Sequence, residues 1–399
     1  METLISRRIS QIAPSPTLAI TAKAKRMRQE GIKVIGFGAG EPDFDTPSDI
    51  KEAAKKAIDR GFTKYTPTSG IKELKEAICK KFKRDNNLDY SPDEILVSCG
   101  AKHSIFNAIL TLCDEADEVI LVSPYWVSYP EMVKIAGAKP VIVNTTEKNN
   151  FKITPSQFEE AITPNTKLFI LNSPSNPTGV VYNEDELRQL SRLITKRGIW
   201  CVSDEIYEKI IYDERHTSIA SLGDEIKERT ILVNGVSKAY SMTGWRIGFS
   251  AGPRQIIQMM SNLQDHSTSN PTSISQIASV EALEKSQKDL EMMVREFKRR
   301  RDYIVERINS IKELGVLKPQ GAFYCFVNIS KILGKKFDDK VISGSLVLAD
   351  LLLSCVNVAV IPGCVFGDDN FIRISYATSM EDITEGLNRI EDFVSRITE

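Results

Sequence analysis

Short apolar segments alternate with helical patterns between about residue 92 and residue 251. The segments that we predict to be buried strands are Glu94–Ser98, Val119–Val122, Pro140–Val143, Leu168–Leu171, Trp200–Ser203, Thr230–Val233 and Ile247–Ala251. Most are separated by patterns that predict helices, such as His103–Leu112, and this alternation favours a largely parallel sheet covered on both faces. Ligands bind such sheets beyond the carboxyl ends of the strands, so polar motifs that follow the strands are candidates for a functional site.

The chain departs from this pattern on either side of the alternating region. Before it, the sequence predicts a short strand at Ile32–Phe37 and amphipathic helices at Pro47–Asp59 and Ile71–Lys83. After it, residues 275–312 predict a long helical stretch with many charges, which we expect to cross from the larger domain into a smaller one. The remainder predicts an α+β region with strands near Ala322–Asn328, Val356–Ile361 and Phe371–Ser375 and a closing helix from Met380. A chain of 399 residues is too long for one simple core, so we expect two associated domains.

Composition and charge give no sign of a nucleic-acid or membrane partner. The 52 basic and 53 acidic residues leave a net charge of -1, which provides no general attraction for anionic surfaces. The basic cluster Lys298–Arg301 lies in a helical pattern and predicts a solvated helix face. The most apolar long stretch, Leu346–Phe366, contains Asp350, Asn357 and Pro362, so it predicts a helix and a buried strand instead of a membrane span.

The cysteines and histidines predict neither disulfides nor a metal site. The seven cysteines form no CxxC pair, and several lie in apolar runs, as Cys201 does in Ile199–Val202. This usage predicts reduced, buried thiols in a cytoplasmic compartment. The three scattered histidines offer no zinc constellation, and the N-terminal segment METLISRRIS lacks the apolar core of a secretory signal.

The first polar motif contains a lysine directly after a predicted strand. Lys238 follows the strand Thr230–Val233, and Arg246 comes eight residues later. A partly desolvated lysine has a lowered pKa, which suits it to form a Schiff base with a carbonyl group. The planar guanidinium of Arg246 is suited to hold a phosphate or a carboxylate. Alone, however, a lysine at a strand end is most often a surface residue.

A second motif, Ser203–Tyr207, ends the strand Trp200–Ser203. A carboxylate at this position, that of Asp204, can keep a heterocyclic cofactor nitrogen protonated, and Tyr207 can donate a hydrogen bond to a phenolate oxygen. The alternative interpretation is a helix N-cap followed by an amphipathic tyrosine.

Three further motifs also follow predicted strands. Asn172–Gly179 contains two prolines and a glycine, which predict a rigid turn that presents Asn176. Ser98–Lys102 predicts a strand that enters a helix through a glycine, where free backbone N–H groups bind anions. Trp126 can stack on a flat ring. Each has an ordinary alternative: a tight loop, a common strand-to-helix turn and a core aromatic residue.

The last motif is an arginine within the apolar strand Phe371–Ser375. Because side chains alternate along a strand, Arg373 points away from its apolar neighbours. A buried arginine is costly without an anion. Its partner is therefore either a substrate carboxylate or, in the alternative interpretation, a carboxylate of the protein in a structural salt bridge.

Taken together and in this order, the motifs resemble the class I aminotransferases, which are fold type I enzymes that depend on pyridoxal 5'-phosphate (PLP). The motifs that carry the resemblance are Gly38–Pro47, Tyr65–Gly70, Asn176–Gly179, Ser203–Tyr207, Ser237–Lys238, Gly244–Arg246 and Arg373. They span nearly the whole chain. The resemblance implies an α/β fold with a mainly parallel seven-stranded sheet flanked by helices, a smaller α+β domain, and a homodimer with shared active sites.

The same resemblance implies a division into domains and a role for each motif residue. Residues 1–46 would form an N-terminal arm and part of the small domain, 47–295 the large PLP-binding domain and 296–399 the C-terminal small domain. Lys238 would carry PLP and move the proton in catalysis. The other residues expected at the cofactor are Asp204 at the ring nitrogen, Tyr207 and Asn176 at the phenolate oxygen, Trp126 at the ring, and Gly100, Ala101, Ser237 and Arg246 at the phosphate. Lys102 is also expected at the cofactor site, and Tyr65 at the phosphate of the neighbouring subunit. Those expected at the substrate are Gly40, Trp126, Asn176, Arg373, Lys102 and Thr17.

Within this family, the chain resembles the Iβ subgroup of aspartate aminotransferases. The resemblance lies in Ser123–Lys134 and in Lys102, which matches the lysine that binds the distal carboxylate in that subgroup. The other major subgroup uses an arginine there, and the corresponding segment Gln264–Thr272 contains none. Thr17 resembles an arm residue that closes over the same end. We therefore expect the reaction of L-aspartate with 2-oxoglutarate, giving oxaloacetate and L-glutamate.

Several alternatives stay open on the sequence alone. Some similar enzymes also aminate prephenate to arogenate, and Thr17 with Lys102 is compatible with that activity. Another class I aminotransferase or a PLP lyase on the same fold is a further alternative. A PLP-binding regulatory module usually carries an added DNA-binding domain, for which we identify no segment before the arm. For Lys102, the alternative to a carboxylate-binding role is an exposed lysine at the start of a helix.

Overall fold

The computed structural model describes residues 6–12 and 16–399 of the chain. The strands are β1 (Ile35–Gly36), β2 (Ile95–Ser98), β3 (Glu118–Ser123), β4 (Lys139–Asn144), β5 (Thr166–Asn172), β6 (Trp200–Asp204), β7 (Thr230–Gly235), β8 (Gly248–Ala251), β9 (Gly315–Val316), β10 (Tyr324–Asn328), β11 (Lys336–Phe337), β12 (Lys340–Val341), β13 (Val358–Ala359), β14 (Ile361–Pro362) and β15 (Phe371–Ser375).

The α-helices of the described residues surround these strands. They are α1 (Arg7–Ser10), α2 (Pro16–Gln29), α3 (Ser48–Asp59), α4 (Lys72–Asn86), α5 (Ala101–Leu112), α6 (Ser128–Ile135), α7 (Pro155–Ala161), α8 (Glu184–Arg197), α9 (Asp224–Lys227), α10 (Arg254–Asp265), α11 (Ser273–Lys285), α12 (Gln287–Ser310), α13 (Ser345–Val356) and α14 (Met380–Ser395).

A seven-stranded sheet in the order β2-β8-β7-β6-β5-β3-β4 forms the centre of the larger part of the molecule. Its strands run parallel except β8, which is antiparallel to both neighbours. Strands β2, β7 and β8 are buried along their whole length, as expected when helices cover both faces. The α/β architecture predicted from the alternating pattern is confirmed.

The orientation of β8 positions part of the site. A parallel connection needs a crossover across the sheet, whereas an antiparallel strand can return along the same edge. Residues 236–247 make this return between β7 and β8, so Lys238 and Arg246 both lie at the carboxyl end of β7.

A second sheet, in the order β14-β15-β10-β9, lies between residues 315 and 375, and its neighbouring strands are antiparallel. The N-terminal strand β1 pairs in parallel with β13, and Phe37 packs against Gly386 in α14. Residues 35–37 are therefore attached to the C-terminal part of the chain. The domain boundaries at residues 46 and 295 stay a prediction.

The long helical stretch predicted at residues 275–312 is confirmed, whereas one predicted strand begins at a different residue. Residues 275–312 form two helices because Ser286 leaves the helical conformation and its hydroxyl donates to Asp49 Oδ2 over 2.7 Å. The strand expected from Val356 begins only at Val358, because α13 continues to Val356 and Asn357 ends it with a left-handed φ of 55°.

The prediction of a solvated helix face at Lys298–Arg301 was also wrong. Arg300 is 5% exposed and Arg301 is 1% exposed, whereas Arg299 is exposed. Arg300 Nη1 lies 2.7 Å from Asp43 Oδ1, and Arg301 Nη2 lies 2.7 Å from Asp213 Oδ2. Helical periodicity does not show that acidic residues from distant segments pair with these arginines.

All seven cysteines are free, which confirms the expected absence of disulfides. The expectation of burial was wrong for Cys355 and Cys364, which are exposed. Within the part of the chain that the structure describes, no helix combines the length and apolar character needed to cross a membrane.

Candidate active site

A cavity of about 410 Å³ opens beyond the carboxyl ends of β5, β6 and β7. The predicted site residues that line it are Gly40, Ala101, Lys102, Trp126, Asn176, Asp204, Tyr207, Ser237, Lys238, Arg246 and Arg373. The two strand ends that reach it, in β5 and β6, are Asn172 and Asp204. Long-range folding thus brings together motifs that lie up to about 330 residues apart in the sequence, at the sheet edge expected for this fold.

Lys238 places a partly desolvated amine in this cavity. Its Nζ donates a hydrogen bond to the carbonyl oxygen of Gly40 over 2.6 Å. Burial lowers the pKa of Lys238 to about 8, with the positive charge of Arg373 acting in the same direction against the carboxylate of Glu41. A larger fraction of the amine is therefore neutral and nucleophilic near neutral pH than in an exposed lysine.

Asp204, the last residue of β6, is a buried carboxylate without a cationic protein partner. Tyr129 Oη donates to its Oδ2 over 2.6 Å, and the backbone N–H of Ile206 donates to its Oδ1 over 3.2 Å. Burial raises the pKa of Asp204 to about 6. Among the described residues, no lysine, arginine or histidine lies within ion-pair distance of Asp204. A protonated ring nitrogen supplies the missing charge.

The alternative of a helix N-cap at Ser203–Tyr207 does not hold, because the chain continues from β6 into turns, and the next α-helix is α9. Tyr207 is 4% exposed, and its hydroxyl oxygen lies 2.7 Å from that of Tyr324. Both tyrosines line the cavity.

Arg373 on β15 is 5% exposed and carries a guanidinium group that is only partly satisfied. Its Nη1 donates to Asn176 Oδ1 over 3.0 Å and its Nη2 to the carbonyl oxygen of Gly38 over 2.9 Å, whereas Nε is buried without a partner. Within the described chain no carboxylate pairs with it, which contradicts the structural salt bridge. A substrate carboxylate is the anion that such a group requires.

The start of α5 has the geometry expected of an anion site, whose role stays a prediction. Gly100 precedes the helix with a φ of 93°, and a Cβ at this position would lie 2.4 Å from Arg246 Nη2. The guanidinium of Arg246 is held there by the carbonyl oxygens of Thr243, at 2.9 Å, and Cys99, at 3.2 Å. Free helix N–H groups beside an arginine form a site suited to a phosphate group.

Lys102 and Trp126 lie together on the cavity. Lys102 Nζ is 4.8 Å from the centre of the Trp126 ring, and this cation–π contact holds the ammonium group at the cavity wall. The side chain of Lys102 is exposed, but surrounding protein atoms and then the charge of Arg246 lower its pKa. Lys102 therefore lines the same cavity as the basic residues Lys238, Arg246 and Arg373.

Two predicted residues that the structure describes in full do not line this cavity: Gly100, which directly precedes the lining residue Ala101, and Tyr65. Tyr65 is 91% exposed, on a loop held by two fully buried glutamines: Gln264 Nε2 donates to the carbonyl oxygen of Thr68 and Gln276 Nε2 to Thr66 Oγ1, each over 3.0 Å. Thr17 lies in α2, but its side chain falls outside the described residues.

Sequence analysis missed Tyr129 and Tyr324. Tyr129 follows Trp126 by three residues in a segment already singled out, and that spacing at a helix start was the available signal. Tyr324 begins a strand of the second sheet, and no local pattern connects it with Tyr207.

A further polar cluster lies behind Asp204. Glu205 Oε2 is 2.8 Å from His216 Nε2, and Glu208 pairs with the buried Lys81. Glu205, Glu208 and His216 lie close enough together to hold a metal ion, but protein donors already contact both carboxylates. The expectation that the protein uses no metal stays a prediction.

The residues of the cavity fit PLP. A desolvated lysine amine, a buried carboxylate without a cation and a helix start with an arginine match the aldehyde, ring nitrogen and phosphate of that cofactor. Gly100, Ala101, Ser237 and Arg246 would hold its phosphate, and Trp126 borders the ring position.

Comparisons with known proteins agree with this arrangement. The family model for aminotransferase class I and II matches residues 32–390. An aspartate aminotransferase of Bacillus sp. (strain YM-2) is 49% identical over 99% of this chain and 100% of that protein. An aspartate/prephenate aminotransferase of Nitrosomonas europaea is 46% identical over 98% of this chain and 100% of that protein. The crystal structure of the aspartate aminotransferase from Rhizobium meliloti superposes with a TM-score of 0.95, at 46% identity and 99% coverage of both chains.

Proposed function

Because the chain belongs to the class I and II aminotransferases, which depend on PLP, we propose that it is an aspartate aminotransferase. It transfers the amino group of L-aspartate reversibly to 2-oxoglutarate, giving oxaloacetate and L-glutamate by a ping-pong mechanism. The observation that carries the proposal is that, besides Lys238 and the Arg246 guanidinium assigned to the phosphate, two more cations line the cavity: Arg373, which lacks a carboxylate partner among the described residues, and Lys102. Two cations beside a reactive amine suit a substrate with two carboxylates.

The residues of the cavity divide the chemistry among them. PLP, when bound, supplies the electron sink that stabilises negative charge on the substrate α carbon. Asp204 would keep the ring nitrogen of the bound cofactor protonated, and Arg373 with Asn176 would orient the α-carboxylate of the substrate. The Lys238 amine would hold the cofactor and, when free, would take the proton from the substrate α carbon and return it as general base and acid.

Replacing Lys102 with leucine tests the choice of substrate. The loss of a charged partner costs about 1.5–3 kcal/mol, so we expect kcat/KM to fall about 10- to 100-fold for aspartate and by less than about threefold for alanine. Steady-state kinetics on both amino acids, with 2-oxoglutarate as acceptor, measure this difference. The matched control is Lys288→Leu on α12, which removes an exposed lysine away from the cavity. Equal losses for aspartate and alanine would contradict the role of Lys102.

Prephenate is the second candidate substrate. Relatives named aspartate/prephenate aminotransferase match this chain about as closely as some aspartate aminotransferases, and Lys102 offers a flexible point charge instead of a bidentate clamp. With L-glutamate as donor, kcat/KM is compared for oxaloacetate and prephenate. A preference for oxaloacetate of about a hundredfold or more, roughly 2.7 kcal/mol, supports aspartate aminotransferase alone. Comparable values would add arogenate formation to its functions.

We further propose that the enzyme is a homodimer in which Tyr65 reaches the cofactor phosphate of the neighbouring subunit. The exposed Tyr65 on a braced loop supports this arrangement. Co-expressed subunits, one carrying Tyr65→Ala and the other Lys238→Ala, should form mixed dimers with one intact site and about half the wild-type activity per dimer. Purified mixed dimers with no more than half the activity of a Tyr65→Ala homodimer would contradict shared sites.

A cytoplasmic location belongs to the same proposal. Free thiols at all seven cysteines, two of them exposed, suit a reducing compartment. Fractionation of the source cells, followed by immunodetection, would show the protein with soluble cytoplasmic markers, and recovery with secreted markers would contradict this.

A further inference from the structure

Tyr324 connects three of the groups that the proposed function uses. Its hydroxyl oxygen lies 2.7 Å from that of Tyr207. The guanidinium of Arg373 lies 4.4 Å from the centre of its ring. A Cβ at Gly40, whose carbonyl oxygen accepts from Lys238, would lie 3.4 Å from the Tyr324 hydroxyl. Tyr324 is fully buried, so these contacts define its position.

The hydroxyl groups of Tyr207 and Tyr324 form one hydrogen bond with each other. That bond uses the proton of one hydroxyl, and the proton of the other hydroxyl is free to be donated to a different acceptor. Among the described residues, each hydroxyl has the other as its hydrogen-bond partner. If Tyr207 donates to Tyr324, the Tyr207 proton is occupied and cannot reach a cofactor oxygen. If Tyr324 donates, the Tyr207 proton is available for another acceptor.

The charges around the pair favour donation by Tyr324. Arg373 lies over the ring of Tyr324, and a nearby positive charge makes a hydroxyl a better donor. Tyr207 lies closer to the carboxylate of Asp204, which makes its oxygen the better acceptor, although burial raises the pKa of both tyrosines. Three charged groups also face the pair: Arg373 acts to lower the pKa of Tyr207 as well, Glu41 acts to raise that of Tyr324, and Lys238 Nζ is 5.9 Å from the centre of the Tyr207 ring.

We propose that Tyr324 is a positioning residue that donates to the Tyr207 hydroxyl and so directs the Tyr207 proton to the phenolate oxygen of PLP. This inference rests on the proposed function. A hydroxyl that accepts a hydrogen bond is a stronger donor, so Tyr324 acts on the cofactor through Tyr207. Through the same ring it supports Arg373, so the cofactor contact and the substrate contact share one residue.

The experiment follows the visible absorbance of the PLP-loaded enzyme, without substrate, as a function of pH. A donor to the phenolate oxygen stabilises its charged form, so loss of the donor raises the pH midpoint of the absorbance change. Tyr207→Phe removes the donor and should raise the midpoint by about one to two pH units. Tyr324→Phe only weakens the hydrogen bond that Tyr207 donates to the phenolate oxygen, so it should raise the midpoint by about 0.2–0.5 pH unit. Tyr324→Met removes the same hydroxyl with different packing and should shift it in the same direction.

Two controls separate this role from a general disturbance of packing. Tyr376→Phe removes another fully buried hydroxyl, which donates a 3.1 Å hydrogen bond to the carbonyl oxygen of Ala322. Tyr376 does not line the cavity, so this variant should leave the midpoint unchanged. In the Tyr207→Phe background, Tyr324→Phe should add no shift, because the residue through which it acts is gone. Additive shifts would contradict the proposal.

The remaining outcomes are also decisive. An unchanged midpoint in Tyr324→Phe overturns the proposal, and a lower midpoint shows that Tyr207 donates to Tyr324 instead. A wild-type protein that shows no visible cofactor band when supplied with PLP contradicts the proposed function itself. The two failures are therefore distinguishable.

Discussion

Replacing Lys238 with alanine is expected to reduce transamination by about ten-thousand-fold or more, because the variant loses both the amine that holds the cofactor and the group that moves the α proton. The variant should still bind PLP in part, since the anion site at Gly100 and Arg246 and the carboxylate of Asp204 remain. Single-turnover kinetics with aspartate, together with PLP titration by fluorescence, measure the two properties separately.

Covalent attachment provides an independent control for Lys238. Borohydride reduction of the PLP-loaded wild type should add one cofactor mass to the peptide that contains Lys238. The same treatment of Lys238→Ala should leave that peptide unmodified, although PLP is present. Full transamination by Lys238→Ala, or reduction at another lysine, would refute the assignment.

The second large effect is expected for Asp204→Asn, which keeps the shape of the side chain but removes its charge. Because we propose that the buried carboxylate of Asp204 faces the ring nitrogen of PLP, we expect kcat to fall about 100- to 1,000-fold, the range found when one preorganised electrostatic contact is lost. The affinity for PLP should also fall. Stopped-flow measurement of the half-reaction with aspartate gives the rate, and equilibrium titration gives the affinity.

Tyr129→Phe is the matched control for Asp204. It removes the hydroxyl that donates to Asp204 Oδ2 over 2.6 Å but leaves the carboxylate. Loss of one hydrogen bond to a charged group should reduce kcat by no more than about tenfold. Equal losses in Tyr129→Phe and Asp204→Asn would mean that the geometry of the pocket, and not the charge of Asp204, matters.

Local patterns were sufficient to predict the sheet and the strand ends that carry Asp204 and Lys238. Strand β15 was predicted at its observed bounds, and so was the start of α14 at Met380. Strand β15 and helix α14 each begin where polar residues give way to apolar residues at regular spacing, which is the clearest signal of an element in a single sequence.

Contacts between distant segments could not be predicted in the same way. The burial of Arg301 depends on Asp213, which lies 88 residues earlier in the chain, and the bond between Tyr207 and Tyr324 spans 117 residues. Periodicity describes one element at a time, so it shows neither the partner of a charged side chain nor the direction of a shared proton. The resemblance to a family supplied the roles of several site residues, but it did not indicate Tyr129 or Tyr324.

The central claim is that this cavity exchanges an amino group between two dicarboxylates through PLP. Its most direct test is the stoichiometry of the purified, PLP-loaded protein supplied with L-aspartate and 2-oxoglutarate. We predict one oxaloacetate and one L-glutamate for each aspartate consumed and, without 2-oxoglutarate, about one oxaloacetate per active site, as a ping-pong transfer requires. Release of carbon dioxide or ammonia in place of L-glutamate would instead make the protein a lyase on the same fold.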